Sequence, residues 1–318
     1  MEHIFNDQYY TNIATRTMFP KDHIEKLHRI THILDYLNSE SILTNCLAVK
    51  GSCAVNLTVF NLPRLVNELD LDYCLPVDRE TMFEYRNIIN QEMMKFVGAT
   101  DFRIGAETKT EKSKDIWILK YTNILHQKDT LQVSINYSLR NHIFNAERKT
   151  IIPNIFNHRF VTTVLNTIEI YTMKIQHLLS EPSAIDLYDV QKMFVNNLFS
   201  EDQLKTLTKC LVFYQTIMNG TRDYKFSFEA IDKINPEQVK FEIRGLVSKN
   251  ESFNLNKAKI YVKEQIEPLL KLNEPEKAYL SSFEAGIFKP SILFQDNEIL
   301  ERIEYHPMAL WRIKQITG

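Results

Sequence analysis

Glu68-Leu69-Asp70-Leu71-Asp72-Tyr73 alternates acidic and apolar residues with period two. Successive side chains of a strand point to opposite faces, so Glu68, Asp70 and Asp72 share one face and Leu69, Leu71 and Tyr73 the other. Three neighbouring carboxylates repel one another unless something positive lies among them. A divalent cation with oxygen ligands answers that need. A solvated sheet edge carrying alternating acids is the alternative. Upstream, the apolar run Leu47-Ala48-Val49 leads to Lys50-Gly51-Ser52 and then to a helix-like segment, Cys53 to Phe60. A strand that enters a helix through Gly-Ser presents backbone N–H groups and a hydroxyl to an anion. Ser52 acting only as a helix N-cap is the plainer reading. Read together, a phosphate cradle and an acidic strand a few residues apart fit metal-assisted phosphoryl or nucleotidyl transfer.

A second constellation lies downstream, where Lys174 precedes Asp186 by twelve positions and Asp189 follows. A lysine there could neutralise phosphate charge, with Asp186 orienting it. A surface lysine and a helix that begins with acids, favoured by its dipole, is the alternative. Arg140, Arg148, Lys149 and Arg159 form a modest basic cluster, readable as an RNA contact or as a solvated loop. The histidines, His177 and His306 among them, are scattered without an i,i+4 pair and read as structural.

The elements that must position these residues divide the chain in two. Ile24, Leu27, Ile30, Leu34 and Leu37 give residues 1–45 one apolar helical face, with Pro20 at a first turn. A strand over 47–50 follows, then the acidic strand and a helix Glu80–Val97. Strands follow over Ile116–Tyr121 and Leu131–Tyr137, with a short one over Phe160–Val164. After 165 the periodicity is helical: 165–179, 184–198, 201–218, 256–272 and 275–285, punctuated by Pro or Asn-Gly. The tail, 288–318, is aromatic and apolar and is expected to pack down. The fold class expected is α+β, with a mixed-sheet lobe over 1–160 and an all-helical lobe over 161–318.

Bulk properties narrow the function. A net charge of −2 provides no global pull toward nucleic acid or anionic lipid. Seven glycines in 318 residues suit a helix-rich chain. Cys46, Cys53, Cys74 and Cys210 lack metal-site spacing and read as reduced, buried residues. No signal-peptide pattern and no membrane-spanning apolar stretch occur, so a cytoplasmic location is expected.

Lys50-Gly51-Ser52-Cys53-Ala54-Val55-Asn56-Leu57, Arg64 and Glu68-Leu69-Asp70 resemble the first motif of the AbiEii-type nucleotidyltransferase toxins. These are type IV toxin–antitoxin proteins of the DNA polymerase β-like superfamily. Lys174 with Ile185-Asp186-Leu187-Tyr188-Asp189 resembles a later motif. Pro290-Ser291-Ile292-Leu293-Phe294 and His306-Pro307-Met308-Ala309-Leu310-Trp311 resemble tails of the group. The resemblance thus spans nearly the whole chain. It implies a nucleotidyltransferase lobe, a helical lobe and a nucleotide bound between them. It further implies transfer of a nucleotidyl group from an NTP with Mg²⁺, to a tRNA 3′ end or to a protein, beside a cognate antitoxin and often in phage defence. By counting from Arg64, it assigns Glu68 and Asp70 to Mg²⁺, with Asp72 as an auxiliary acid. Lys50, Gly51 and Ser52 bind nucleotide, Lys174 and Asp186 act in catalysis, and Arg64 braces the turn before the acidic strand.

Three positions depart from the pattern. Glu68 stands where relatives have Asp. Ser134 and Asn136 stand where a third acid often lies. Ile185 replaces an Arg before Asp186. A degenerate fold that binds nucleotide, RNA or a partner without chemistry is therefore an alternative. A phosphotransferase acting on a small molecule is a third class.

Overall fold

The computed structural model of the chain describes residues 7–219 and 226–318. The first six residues of the expected 1–45 helical stretch, and the glycine of Asn-Gly at 219–220, lie outside them. The chain forms two compact units: residues 1–140, 146–165 and 244–251, and residues 141–145, 166–243 and 252–318. The expected boundary near 160 falls within the 146–165 stretch.

The first unit is built on one mixed sheet. Its strands are β1 (Leu47–Val49), β2 (Glu68–Tyr73), β3 (Arg103–Ile104), β4 (Lys109–Thr110), β5 (Lys114–Thr122), β6 (Lys128–Asn136), β7 (Glu147–Thr150) and β8 (Val161–Val164). Their order is β3-β5-β6-β2-β1-β8-β7, with β4 also on β5. β2 runs parallel to β6 and β1 parallel to β8, while the other pairs are antiparallel. The acidic strand is therefore central. Leu69, Leu71 and Tyr73 face the core, each at most 2% exposed. The strand expected over Ile116–Tyr121 lies within β5, whose side chains alternate between buried and half-buried.

Helices Asp7–Thr17, Lys21–Ser39, Ser41–Cys46 and Arg79–Gly98 complete this unit. Ile24, Leu27, Ile30, Leu34 and Leu37 are all buried, as their spacing leads one to expect. Arg29 on the same helix is buried too. It is held by Glu25 at 2.9 Å and Asp101 at 2.8 Å, which meets the requirement that a buried charge be paired. The Asp78 side chain caps Arg79–Gly98 by accepting from Thr81 N.

The second unit is helical: Thr167–Ser180, Ala184–Val195, Glu201–Asn219, Glu229–Lys233, Pro236–Glu242, Leu255–Ile266, Glu274–Glu284, Asn297–Ile303 and Pro307–Thr317. Glu169, fully buried, accepts from Ile143 N at 2.8 Å and Phe144 N at 3.2 Å and from the Tyr214 hydroxyl, tying 141–145 to the helices. In the tail, Leu293, Phe294, Ile303 and Ala309 are buried, while Trp311 is about half exposed. The architecture is α+β with a mixed sheet and a helical unit. All four cysteines are free and buried.

Candidate active site

β1 delivers the chain to Lys50, and the helix Gly51–Ala54 runs on directly into a π-helix, Val55–Val59. Gly51 has φ +58°, the left-handed region that disfavours side chains. A Cβ there would sit 3.4 Å from Asp70 Oδ2, so the backbone of the Gly-Ser step lies against the acidic strand. Lys50 N donates to Asp70 O at 3.0 Å and fixes that approach. The Gly-Ser step and the Asp70 carboxylate thus meet, through β1–β2 pairing that aligns Val49 with Leu71.

The three acids are not equivalent. Glu68 and Asp70 are partly exposed, whereas Asp72 is fully buried. Asp72 was expected to be an auxiliary metal ligand. Instead its Oδ1 lies 2.6 Å from Lys50 Nζ, deeper along the strand, so Lys50 and Asp72 answer each other's charge. Sharing a face does not mean sharing depth: the strand carries its third acid into the core. Among the described residues, no three of His, Cys, Asp and Glu are gathered as a metal cage. Two carboxylates suffice for Mg²⁺ when phosphate oxygens and water supply the other ligands. Asp70, beside the Gly51 backbone, and Glu68, on the same strand face, are both partly exposed and fit that donor set.

β6 lies on the other side of β2, with Asp70 opposite Ser134, Glu68 opposite Gln132 and Asp72 opposite Asn136. Ser134 is buried and its Oγ accepts from Gln132 Nε2 at 3.2 Å. The neighbouring strand therefore offers hydroxyl and amide groups, not a third carboxylate.

In the helical unit, Lys174 lies on Thr167–Ser180, and Asp186 and Asp189 on Ala184–Val195. Asn166 and Ser183 cap the two helices, Ser183 Oγ accepting from Asp186 N at 3.1 Å. Glu242 accepts from Ala184 N at 2.8 Å and Ile185 N at 3.3 Å. Lys174 Nζ is buried between Asp186 Oδ1 at 2.7 Å and Asp189 Oδ2 at 2.8 Å. His177, one turn beyond Lys174, brings Nδ1 to 2.6 Å from Asp186 Oδ2 and is half exposed. Burial alone would raise the Asp186 carboxyl, but Lys174 and His177 outweigh it and hold it far below the usual range. The hydrogen bond to Asp186 raises the His177 imidazole against the opposing effect of burial.

Lys174 and Asp186 are thus brought together as the sequence suggests, while His177, read there as structural, joins them. Its i,i+3 spacing from Lys174 was the available signal. Three members of the basic cluster are engaged within the protein. Arg140 Nε donates to Val77 O at 2.8 Å, Arg148 to Asn38 at 3.3 Å and Thr163 at 3.1 Å, and Lys149 pairs with Glu147. A cavity of about 380 Å³ lies elsewhere in the first unit, among His28, His32, Asp35, Phe156 and His158. None of the nominated residues lines it.

The family described as "Nucleotidyl transferase AbiEii toxin, Type IV TA system" matches residues 32–263, most of the chain, including both sets of residues above. The chain belongs to this family. As an AbiEii-family member it is a nucleotidyltransferase, of a family whose toxins form type IV toxin–antitoxin systems. MenT4, a nucleotidyltransferase toxin from Mycobacterium tuberculosis H37Rv, is similar in fold. The TM-score is 0.64 at 14% identity, over 97% of this AbiEii-family chain and 99% of that one. Among curated proteins, none matches the sequence. No helix among the described residues is long and apolar enough to cross a membrane.

Proposed function

We propose that the protein transfers a nucleotidyl group from an NTP to RNA, with the tRNA 3′ end as acceptor, in the cytoplasm, and that a cognate antitoxin restrains it. The observation that carries this reading is the approach of the Gly51 backbone to the Asp70 carboxylate. That approach supports a phosphate held at Gly51-Ser52 next to a metal-holding Asp70, the arrangement nucleotidyl transfer needs.

Gly51 and Ser52 receive the triphosphate through backbone N–H and hydroxyl groups. Glu68 and Asp70 would hold Mg²⁺, which when bound draws charge off the phosphate oxygens. An acceptor hydroxyl attacks the α-phosphorus and forms the new O–P bond. The bond to the bridging oxygen breaks and pyrophosphate leaves. The acceptor proton passes to water, since β6 places Ser134 beside Asp70. Asp72 supports the site by holding Lys50. We assign Lys174 and Asp186 to the reaction as a fixed ion pair.

Expression of wild type and Asp70→Ala in cells, followed by sequencing of tRNA 3′ ends, tests the acceptor. Extended ends in wild type alone are expected. Growth arrest with unaltered ends would redirect the search to protein acceptors, a role also compatible with phage defence.

One observation favours a binding-only protein: Ser134 stands opposite Asp70 where an acid would activate the acceptor. That reading predicts thermal stabilisation by NTP without turnover.

A further inference from the structure

Arg64 was expected to brace the turn before the acidic strand, and its side chain does more. It is fully buried. Its Nη2 donates to Ser52 Oγ at 2.7 Å, and its Nη1 donates to Leu65 O at 3.0 Å. A serine hydroxyl has one proton to give and two lone pairs to receive. With one lone pair taken by a guanidinium, the oxygen is turned so that its proton points away from Arg64. Donation from a cation also polarises the O–H bond and makes it a stronger donor in turn. Ser52 itself is partly exposed, and Asn56 Nδ2 holds its carbonyl at 2.9 Å, which fixes the backbone beneath the hydroxyl.

The loop carrying Arg64 is held by a strap. Residues 244–251 belong to the sheet-bearing unit, although the chain on either side belongs to the helical one. Leu65 N donates to Leu246 O at 2.7 Å, and Arg64 forms an antiparallel bridge with Val247. The strap is pinned in turn: Lys249 N donates to Met18 O at 3.1 Å. Gly245 lies so close to His23 that a Cβ there would meet Nε2 at 3.0 Å.

We infer that Arg64 is a positioning residue that aims the Ser52 hydroxyl proton at the phosphate chain of the bound NTP, and that the 244–251 strap sets that aim. The inference rests on reading Gly51-Ser52 as the phosphate cradle. It places a control of nucleotide affinity in Arg64 and the strap behind it.

A double-mutant cycle tests it on nucleotide binding, so turnover is not required. The dissociation constants of the α,β-methylene analogues of the ribonucleoside triphosphates are measured with Mg²⁺. The proteins are full-length wild type, Ser52→Ala, Arg64→Lys and the double variant. Lysine keeps the charge but cannot reproduce the guanidinium fork. Ser52→Ala and Arg64→Lys should each weaken binding by about tenfold, the double variant no further, and Ser52→Thr should restore most of the loss. Gly245→Ala, in the strap and against His23, provides the same reading if Arg64→Lys does not fold. It should weaken binding when Ser52 is present and do nothing in Ser52→Ala. Additive losses, or no loss in a folded Arg64→Lys protein, would overturn the inference, as would no binding by wild type. Coupled losses without label transfer would leave the inference standing and overturn the transferase reading instead.

Discussion

Lys50 Nζ lies 2.6 Å from Oδ1 of the fully buried Asp72. The lysine next to the Gly-Ser step is thereby anchored to the strand that carries the acid pair. Removing one partner leaves the other without its counter-charge. Lys50→Met is expected to lose about 3–5 kcal/mol of unfolding free energy, and Lys50→Met with Asp72→Leu to regain much of it. Urea unfolding measures both. A Lys50→Met protein as stable as wild type would refute the structural role of the pair.

Gly51 tolerates no side chain without cost. Its φ of +58° alone disfavours alanine by about 1–2 kcal/mol. The added methyl would also touch the Asp70 carboxylate at 3.4 Å. Gly51→Ala should stay folded yet lose on the order of 10²-fold in kcat/KM for nucleotidyl transfer, because the cradle is displaced from the acid. Circular dichroism and a label-transfer assay separate the two effects.

The His177–Asp186 contact makes stability depend on pH. The folded imidazole titrates above its ordinary 6.5 because Asp186 holds its proton. Its contribution is fully present below the unfolded value and is lost as pH rises through the folded one. His177→Asn should therefore be less stable than wild type at pH 5.5 and approach it at pH 9. Denaturation midpoints across that range check the direction, and NMR titration of the imidazole checks its cause.

Lys174 balances two carboxylates, so its removal should be severe. Lys174→Met is expected to destabilise the chain by about 3–5 kcal/mol at pH 7 and to abolish transfer. The lowered Asp186 carboxyl contributes stability above the ordinary carboxylate range, and that contribution is lost as pH falls through its folded value. The deficit of the variant should accordingly narrow on acidification. Unfolding at pH 7 and pH 3.5 measures it.

Much of this was legible in the sequence where a pattern repeats over many residues. The apolar run in Ile116–Tyr121 and the three- and four-residue spacing from Ile24 to Leu37 mark elements the structure contains. β3, β4 and β7 escaped because two are only two residues long and the third, Glu-Arg-Lys-Thr, is polar throughout. The helices Glu229–Lys233 and Pro236–Glu242 are too short for periodicity to register. Gly51-Ser52 and the acid alternation could be seen directly, but Asp72's burial could not, because spacing reports a face and not a depth. The 64–247 pairing joins segments far apart in sequence, and no local pattern announces it.

Asp70 beside Gly51 is the centre of the account, and covalent label transfer tests it most directly. Purified wild type and Asp70→Asn are incubated with each α-labelled NTP, Mg²⁺ and total tRNA. Wild type should place label on RNA with at least one NTP, and Asp70→Asn, though folded, should place almost none. Equal labelling by the two proteins would contradict the assignment of Asp70. Absence of label from wild type with every NTP, on RNA and on protein acceptors alike, would contradict the proposed reaction.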